Sequence, residues 1–468
     1  MEFVTFEELK LDEFFGNYLT DPNNRPIFQA VSQAARDLEM GKSVNFDFNL
    51  FDVNSSTVKR QRPPSMVSMA RLFSVEQKSP APKLNTSIEK TGEKIPTFYG
   101  RSENTKESAA VEELSKQKTI PIEKISFMLQ TFCRLPKCFA SIIAKKHCLS
   151  SGEKFKAFWK DCILGQDPNT RFFKFVAGKD KNFIVPSDFV QFVRSVVENH
   201  SSLEFLKEET LFQEKFIDFI VTRCFYLMDT DLRGTIGISQ MRKIDLAATF
   251  FKAERMQDVN DSQHIFNYQH FYVSFCKFWD LDVDQDGKIN RDDLLKFNDS
   301  AISPIIIDRY FSAKFFPRRG KDIDFTAFVY FLMSSEDKTN LTSINLWYRL
   351  CDLDDDGVLS IKEIEEIYQN QFDRMTITGY ETIPFNDMFR QFIDMINPEG
   401  PFIITVHDLV KSKLADVFFN SLFDLQKLLY REYQYPSVNP ELEELTKKFT
   451  PWEIYVLIEY DQLANDGS

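Results

Sequence analysis

Residues 352–363 read DLDDDGVLSIKE, and residues 282–293 read DVDQDGKINRDD. Both stretches follow the pattern of the EF-hand calcium loop, in which side-chain oxygens come from positions 1, 3, 5, 9 and 12 and a backbone carbonyl comes from position 7. Glycine at position 6 permits the sharp turn around the ion, and the apolar residue at position 8 pairs with a second loop. We therefore expect a fold built from helix–loop–helix units.

The loop at 352–363 meets every requirement of this pattern. Its predicted ligands are Asp352, Asp354, Asp356, the carbonyl of Val358, Ser360 and Glu363. Glu at position 12 can give two oxygens to one ion. The sequence therefore predicts a tight calcium site here.

The loop at 282–293 ends in Asp where the other loop ends in Glu. Its predicted ligands are Asp282, Asp284, Asp286, the carbonyl of Lys288, Asn290 and Asp293. Asp is one methylene shorter than Glu, so it gives two oxygens only if the exit helix moves inward. The sequence predicts weaker calcium binding here and better tolerance of Mg²⁺, hence one or two calcium ions in the whole chain.

The position-8 pattern recurs along the chain, mostly at intervals of about thirty to fifty residues, as expected for consecutive helix–loop–helix units. The recurring apolar residues are Ile184, Ile236, Phe266, Ile289, Ile323, Leu359 and Ile404. Most of these loops have lost their ligands. The loop at 229–240, for example, has Arg233 at position 5 and Gln240 at position 12. We expect such loops to bind no metal and to pair with loops that do.

These patterns predict an all-α, mostly helical fold in which EF-hand pairs carry short β-bridges. We expect an elongated molecule with two EF-hand subdomains plus helical flanks. The predicted divisions are a partly helical variable region, a disordered linker, a helical domain with the first metal loop, and a second EF-hand domain: 1–53, 54–93, 94–340 and 341–468. The linker is predicted from its Ser, Pro and Lys content. The 48 Phe residues indicate aromatic-rich cores.

Composition narrows the class of function. A net charge of −13 argues against nucleic-acid binding, which needs basic surfaces. No apolar run reaches the roughly 20 residues that span a bilayer, and the stretch 216–228 is predicted to be a buried helix because it contains Asp218 and Arg223. The acidic start of the chain does not resemble a signal peptide, and the seven cysteines include no CxxC pair. We expect a cytoplasmic protein, with a nuclear, centrosomal or cytoskeletal pool compatible with the sequence.

No catalytic constellation is visible in the sequence. The five histidines are scattered, and no GxGxxG, phosphate-binding loop or HExxH occurs. We therefore predict that the chain is not an enzyme.

Seven blocks of sequence carry further information about the family of this chain. They are KIPTFYGR (94–101), HFYVSFCKFWDLDVDQDGKINRDDL (270–294), IDRYFSA (307–313), IDFTAFVYFLMSSEDK (323–338), INLWYRLCDLDDDGVLSIKEIEEIY (344–368), ITVHDLVKSKLADVFFN (404–420) and WEIYVLIEYD (452–461). In this order they resemble the B'' regulatory subunits of protein phosphatase 2A. The first block departs from the family, which usually has Arg after Pro and a further aromatic and proline after Tyr.

The resemblance implies a non-catalytic subunit that binds a HEAT-repeat scaffold subunit and the phosphatase catalytic subunit, and so directs dephosphorylation toward phosphoprotein substrates. It also implies that 282–293 and 352–363 are the family's two metal loops. The alternative is a stand-alone EF-hand calcium sensor or buffer. A sensor exposes a Met-rich groove, whereas the exit helices here carry Leu294, Leu295, Phe297, Ile364 and Ile367.

Overall fold

The computed structural model describes residues 105–149, 151–179, 181–261, 265–317, 321–400, 403–434 and 444–465. All of these lie within one compact unit, Ser74–Ser468. The predicted regions 1–53 and 54–93, and the block 94–101, lie outside the described residues. The predicted boundary between 340 and 341 remains a prediction.

The first nine helices of the described chain precede the acidic loops. They are α1 Thr105–Ser115, α2 Ile122–Met128, α3 Phe139–Lys146, α4 Gly152–Phe158, α5 Pro168–Ala177, α6 Pro186–Asn199, α7 Thr210–Met228, α8 Ile238–Lys243 and α9 Leu246–Ala253. Short π-helical turns extend α2 through Leu129–Cys133 and α4 through Trp159–Ile163. Two 3₁₀ segments follow α6 and α9, at Ser201–Lys207 and Val259–Asp261.

The remaining described elements contain the acidic loops and the C-terminal helices. They are α10 Tyr268–Leu281, α11 Arg291–Leu294, α12 Pro304–Ser312, α13 Phe325–Glu336, α14 Leu341–Cys351, β1 Leu359–Ser360, α15 Ile361–Thr378, α16 Phe385–Ile396, β2 Ile403–Ile404, α17 Val406–Ser412, α18 Ala415–Phe423, α19 Leu425–Leu429 and α20 Pro451–Asn465. A π-helical turn, Tyr430–Gln434, follows α19. The predicted all-α class is confirmed, with one two-stranded sheet in the described residues.

Six of the seven predicted position-8 residues meet in three antiparallel pairs. Ile184 bridges Ile236, Ile289 bridges Ile323, and Leu359 pairs with Ile404 in the β1–β2 ladder. The seventh, Phe266, is buried just before α10 and forms no bridge in the described structure.

The described residues thus contain three EF-hand pairs, two of them inside the region 94–340 where the sequence predicted one subdomain. The extra pair, α5–α6 with α7–α8, escaped that prediction because its loops lack most acidic ligands. Both acidic loops pair with a ligand-poor loop, as predicted. In the first pair, however, two ligand-poor loops bridge each other through Ile184 and Ile236, so the expectation that such loops pair with metal-binding ones is wrong there.

Aromatic side chains fill the core, as the Phe content indicated. Beside the first pair, Phe139 of α3 packs edge to face on Phe192 of α6, with ring centroids 5.0 Å apart. Farther along, Trp347 packs between Phe331 and Phe423, with centroid distances of 5.7 and 5.0 Å. The stretch 216–228 lies within α7 and is largely buried, as predicted. None of the described helices is long and apolar enough to cross a membrane.

Backbone hydrogen bonds and a buried ion pair join the second and third EF-hand pairs. Ser303 N–H donates to the Phe423 carbonyl at 2.9 Å, and Leu425 N–H donates to the Ala301 carbonyl at 2.9 Å. Beside this bridge, Lys338 and Asp424 form a fully buried ion pair of 2.8 Å. These contacts fix the position of one acidic loop relative to the other.

Candidate metal centres

The first position of each acidic loop holds the turn together. Asp282 accepts the N–H groups of Asp286 and Gly287, at 3.1 and 2.9 Å. Asp352 accepts those of Asp356 and Gly357 at the same distances. The two loops therefore fold around position 1 in the same way.

A glycine is required at position 6 of these loops because the backbone there is left-handed. Gly287 and Gly357 have φ angles of 79° and 89°, a conformation that residues with a Cβ rarely adopt. Position 4 is also left-handed, at Gln285 and Asp355, with φ angles of 59° and 58°. The sharp turn that the sequence predicted is therefore present in both loops.

The carboxylates at positions 1, 3 and 5 converge in both loops. Ligand oxygens of Asp282, Asp284 and Asp286 all lie within 4.8 Å of one another, and the same holds for Asp352, Asp354 and Asp356. Position 1 is buried and the other two positions are exposed in each loop. Three converging carboxylates are a hard, anionic donor set, and such a set fits Ca²⁺ or Mg²⁺.

Burial raises the pKa of Asp282 and Asp352 above the usual range of an aspartate, since desolvation disfavours the charged form. A divalent cation at the centre of either loop would hold these carboxylates ionised. Protons therefore compete with the metal for the buried ligand in both loops.

The position-12 residue of the loop at 352–363 (loop 352) hydrogen-bonds to both ends of that loop. Glu363 is 6% exposed. Its Oε1 accepts the Leu353 N–H at 2.7 Å, and its Oε2 accepts the Ser360 N–H at 2.8 Å. One carboxylate thus reaches both the start and the end of the loop.

The position-12 residue of the loop at 282–293 (loop 282) does not hydrogen-bond to the start of its loop. Asp293 is also 6% exposed, but its Oδ1 accepts from Lys296 Nζ at 3.1 Å. In the described structure no backbone N–H of residues 283 or 284 donates to it. The loop is held at position 9 instead, where the Asn290 side chain caps α11 by accepting the N–H groups of Asp292 and Asp293.

The remaining predicted ligands lie where the EF-hand pattern requires. Ser360, at position 9, donates its hydroxyl to Glu363 at 2.8 Å and caps α15. At position 7, Lys288 and Val358 each donate a backbone N–H to the carboxylate at position 5, at 2.8 Å. Their carbonyls are the predicted metal-binding groups.

The ligand-poor loop at 229–240 keeps the shape of a metal loop without the charge. Asp229 accepts the N–H groups of Arg233 and Gly234, as Asp282 and Asp352 do for their own loops. Arg233 pairs with Asp231 at 3.1 Å, so a guanidinium lies against the carboxylate at position 3. Gln240 accepts the Gly237 N–H at 2.6 Å in the manner of Glu363. Hydrogen bonds and an ion pair within the loop thus engage the positions that would otherwise bind metal.

Sequence reasoning missed Arg309 of α12, which fastens loop 352 from the neighbouring pair. Its Nη2 donates to the Asp352 carbonyl at 2.6 Å and to the Asp355 carboxylate at 2.8 Å. The preceding residue, Asp308, pairs with Arg291, which follows directly after the position-9 residue of loop 282. Helix α12 therefore contacts both metal loops. The Asp–Arg dipeptide itself gives no hint of these contacts.

A family model described as an EF-hand domain matches residues 167–255. That segment is the first, ligand-poor pair. The match therefore supports an EF-hand fold for the part of the chain whose loops lack most acidic ligands.

Two curated relatives are B'' regulatory proteins of serine/threonine-protein phosphatase 2A. The delta form from Mus musculus is 36% identical over 315 residues, which are 66% of this chain and 64% of the relative. A probable epsilon form from Arabidopsis thaliana is 28% identical over 97% of this chain and 89% of the relative. The match to the mouse protein thus spans less than two thirds of that protein.

A solved chain shares the fold as well as the sequence. It comes from the PP2A PR70 holoenzyme, in a form described as diCa, and is 36% identical to this chain. The match has a TM-score of 0.54 and covers 56% of this chain and 98% of the solved one. At this identity the likeness extends beyond fold to family.

Proposed function

The chain belongs to the B'' family of protein phosphatase 2A regulatory subunits, and we propose that it acts as the non-catalytic, substrate-directing subunit of such a phosphatase. Its partners would be a HEAT-repeat scaffold subunit and the catalytic subunit. Phosphoproteins would be the substrates, and the cytoplasm the main location. The observation that carries the proposal is family-level similarity that includes the acidic loops and their flanking helices.

The packing of the exit helices supports a rigid adaptor over a free calcium sensor. Leu294, Phe297, Ile364 and Ile367 follow the two acidic loops and are at most 3% exposed. A sensor opens an apolar groove between such helices when calcium binds. Here those side chains are already buried, and Phe297 packs edge to face on Phe331 with ring centroids 5.1 Å apart.

We further propose that each acidic loop binds one calcium ion. Loop 352 would bind it tightly through Glu363, and loop 282 more weakly, with Mg²⁺ competing there. The converging carboxylates support both sites, and the diCa form of the similar solved chain supports their number. Calcium in the two loops would then stabilise the packing of the helices around α12, because both loops contact that helix.

Reconstitution tests the assembly directly. Purified chain is mixed with purified scaffold and catalytic subunits, with calcium or with a chelator, and complexes are separated by size exclusion. We expect co-elution of all three proteins in calcium. Failure to co-elute at micromolar concentrations, in calcium and in chelator alike, would refute the proposal.

A second measurement separates an adaptor from a sensor. An apolar dye is added to the chain alone while calcium is titrated. An adaptor with a preformed core gives little change in dye fluorescence. A large calcium-dependent rise, without phosphatase binding, would favour a sensor instead.

A further inference from the structure

Arg223 of α7 is a buried arginine without an ion-pair partner among the described residues. The residue is 4% exposed, and its Nη1 contacts His270 Nδ1. Trp452 Nε1 also donates to that nitrogen, at 3.0 Å, so Nδ1 of His270 acts as an acceptor. Among the residues that the structure describes, Nε of Arg223 is enclosed with no hydrogen-bond partner, and no carboxylate forms an ion pair with the guanidinium.

Arg171 is a second buried arginine, and in contrast each of its guanidinium nitrogens has a partner. Arg171 is 5% exposed, and its Nη2 pairs with Glu107 at 2.9 Å. Its Nε and Nη1 donate to the carbonyls of Gln166 and Phe132, at 2.7 and 2.8 Å. All three nitrogens are occupied, as is usual for a buried charge. The edge of Arg223 formed by Nε and Nη2 has no such partners in the described residues.

Burial without an ion-pair partner has an electrostatic cost. It lowers the pKa of Arg223 to about 10, because desolvation disfavours the charged form, and the field of the Glu453 carboxylate offsets only part of this effect. Arginine presents its nitrogens as a planar fork that matches two oxygens of a carboxylate or phosphate. The buried guanidinium of Arg223 is therefore a group that could still bind such an oxygen ligand.

Arg223 lines a cavity of about 630 Å³. The cavity lies between α7, the α13–α14 connection and the start of α20, and its volume is in the range of small-ligand sites. Lys447 and Lys448 line it together with apolar side chains that include Leu227, Leu341 and Phe449. The walls thus combine positive charge with apolar surface.

The two acids of the cavity are engaged in local hydrogen bonds. Asp337 accepts the Thr339 N–H at 2.9 Å, and Glu453 accepts the Thr450 N–H at 2.8 Å, at the start of α20. The two lysines form ion pairs with Glu444, and all the side chains of these pairs are more than half exposed. Exposed pairs of this kind are weak and exchange readily. Three basic side chains thus line the cavity against two acidic ones.

We propose that this cavity binds a short peptide segment of a partner protein, through an oxyanion side chain flanked by apolar side chains. The oxyanion, a carboxylate or a phosphate, would pair with the Arg223 guanidinium where it lines the cavity, and the exposed Lys447 and Lys448 would attract it. Neighbouring apolar side chains would pack on Leu341 and Phe449. None of the lining residues is a predicted metal ligand.

Calorimetry on the full-length chain tests the site with defined probes. The probes are acetyl-Leu-Glu-Phe-amide, its phosphoserine counterpart, its glutamine counterpart and inorganic phosphate. We expect at least one charged peptide to bind about tenfold or more tightly than the glutamine peptide, since charge-assisted bonds are the stronger ones. The glutamate and phosphoserine arms show which oxyanion the site prefers. Equal affinity for the charged and neutral peptides would overturn the proposal, and binding of inorganic phosphate alone would reduce it to an adventitious ion only.

Variants locate the binding in this cavity. Arg223→Met should weaken the charged peptide about tenfold or more while leaving the melting temperature unchanged or higher, because an unpaired buried charge is removed. Arg171→Met is the matched control, and it should lower the melting temperature because the buried carboxylate of Glu107 loses its ion-pair partner. Unchanged peptide affinity in Arg223→Met would overturn the proposal.

An exposed double variant covers the case in which neither core variant folds. Lys447→Gln with Lys448→Gln changes only side chains at the mouth and should not affect folding. It should weaken the charged peptide about threefold to tenfold and leave the glutamine peptide unaffected. An equal loss for both peptides, or no loss for either, would show that positive charge at this cavity does not select the ligand.

Discussion

Loops 282–293 and 352–363 hold their first three carboxylates in the same arrangement and differ at the residue that closes the ring. Glu363 bonds to Leu353 at one end of its loop and to Ser360 at the other. Asp293 pairs with Lys296, outside its loop. A single methylene therefore separates a loop that is already closed from one that must move to close. The geometry of position 12, more than the number of acidic residues, sets the two sites apart.

The largest expected effect comes from removing the closing carboxylate of loop 352. Glu363→Gln loses a charge and one strong metal oxygen, and we expect calcium affinity at that loop to fall about 100-fold, since ligand charge and number set EF-hand affinity. Calorimetry with purified protein should show one tight site fewer. Glu366→Gln, an exposed change on the same helix, is the matched control. Equal affinities in the two variants would mean that Glu363 does not bind the ion.

The converse change should bring the calcium affinity of loop 282 closer to that of loop 352. Asp293→Glu adds the missing methylene, and we expect calcium affinity at loop 282 to rise about tenfold, with selectivity over Mg²⁺ rising as well. Competition titrations with both ions measure this. Asp292→Glu, on the exposed neighbour, should leave the affinity unchanged. A null result in Asp293→Glu would show that α11 already lies close enough for aspartate to give both oxygens.

Local pattern was enough to predict much of this site. Position-8 residues such as Ile289 and Leu359 are recognisable because a loop of fixed length must place an apolar residue in the bridge. The turn at Gly357 follows from the same local constraint. The sequence did not reveal which loops pair, or that a third pair exists, because the loop around Ile184 carries no ligand pattern.

Contacts between distant parts of the chain were beyond the sequence pattern. Arg309 lies 43 residues from the Asp352 carbonyl that it contacts, and no periodicity links the two. The enclosure of Arg223 likewise depends on how α20 returns to α7. Such contacts are set by tertiary packing, which a single sequence does not encode in any short-range pattern.

Loop 352 is also fastened from outside, and this second difference can be tested. Arg309→Gln removes charge-assisted bonds to the loop, and we expect the calcium-free protein to lose about 1 kcal/mol of unfolding free energy. Chemical denaturation in chelator measures this loss. Arg291→Gln, which breaks an exposed pair with Asp308, should cost about 0.5 kcal/mol or less. If the two variants lose equal stability, α12 does not fasten loop 352 more firmly than loop 282.

The smallest expected effect concerns the lysine that occupies Asp293. The side chain of Lys296 is 61% exposed, and exposed ion pairs contribute little. Lys296→Gln should therefore raise calcium affinity at loop 282 only about twofold to threefold, by freeing Asp293 to turn toward the ion. Lys288→Gln removes the same charge from the loop without touching Asp293, and calorimetry on both variants separates the two causes. A larger gain in Lys296→Gln than in Lys288→Gln indicates release of Asp293. Equal gains would mean that the lysine acts only through its charge, and that the short reach of aspartate alone keeps loop 282 open.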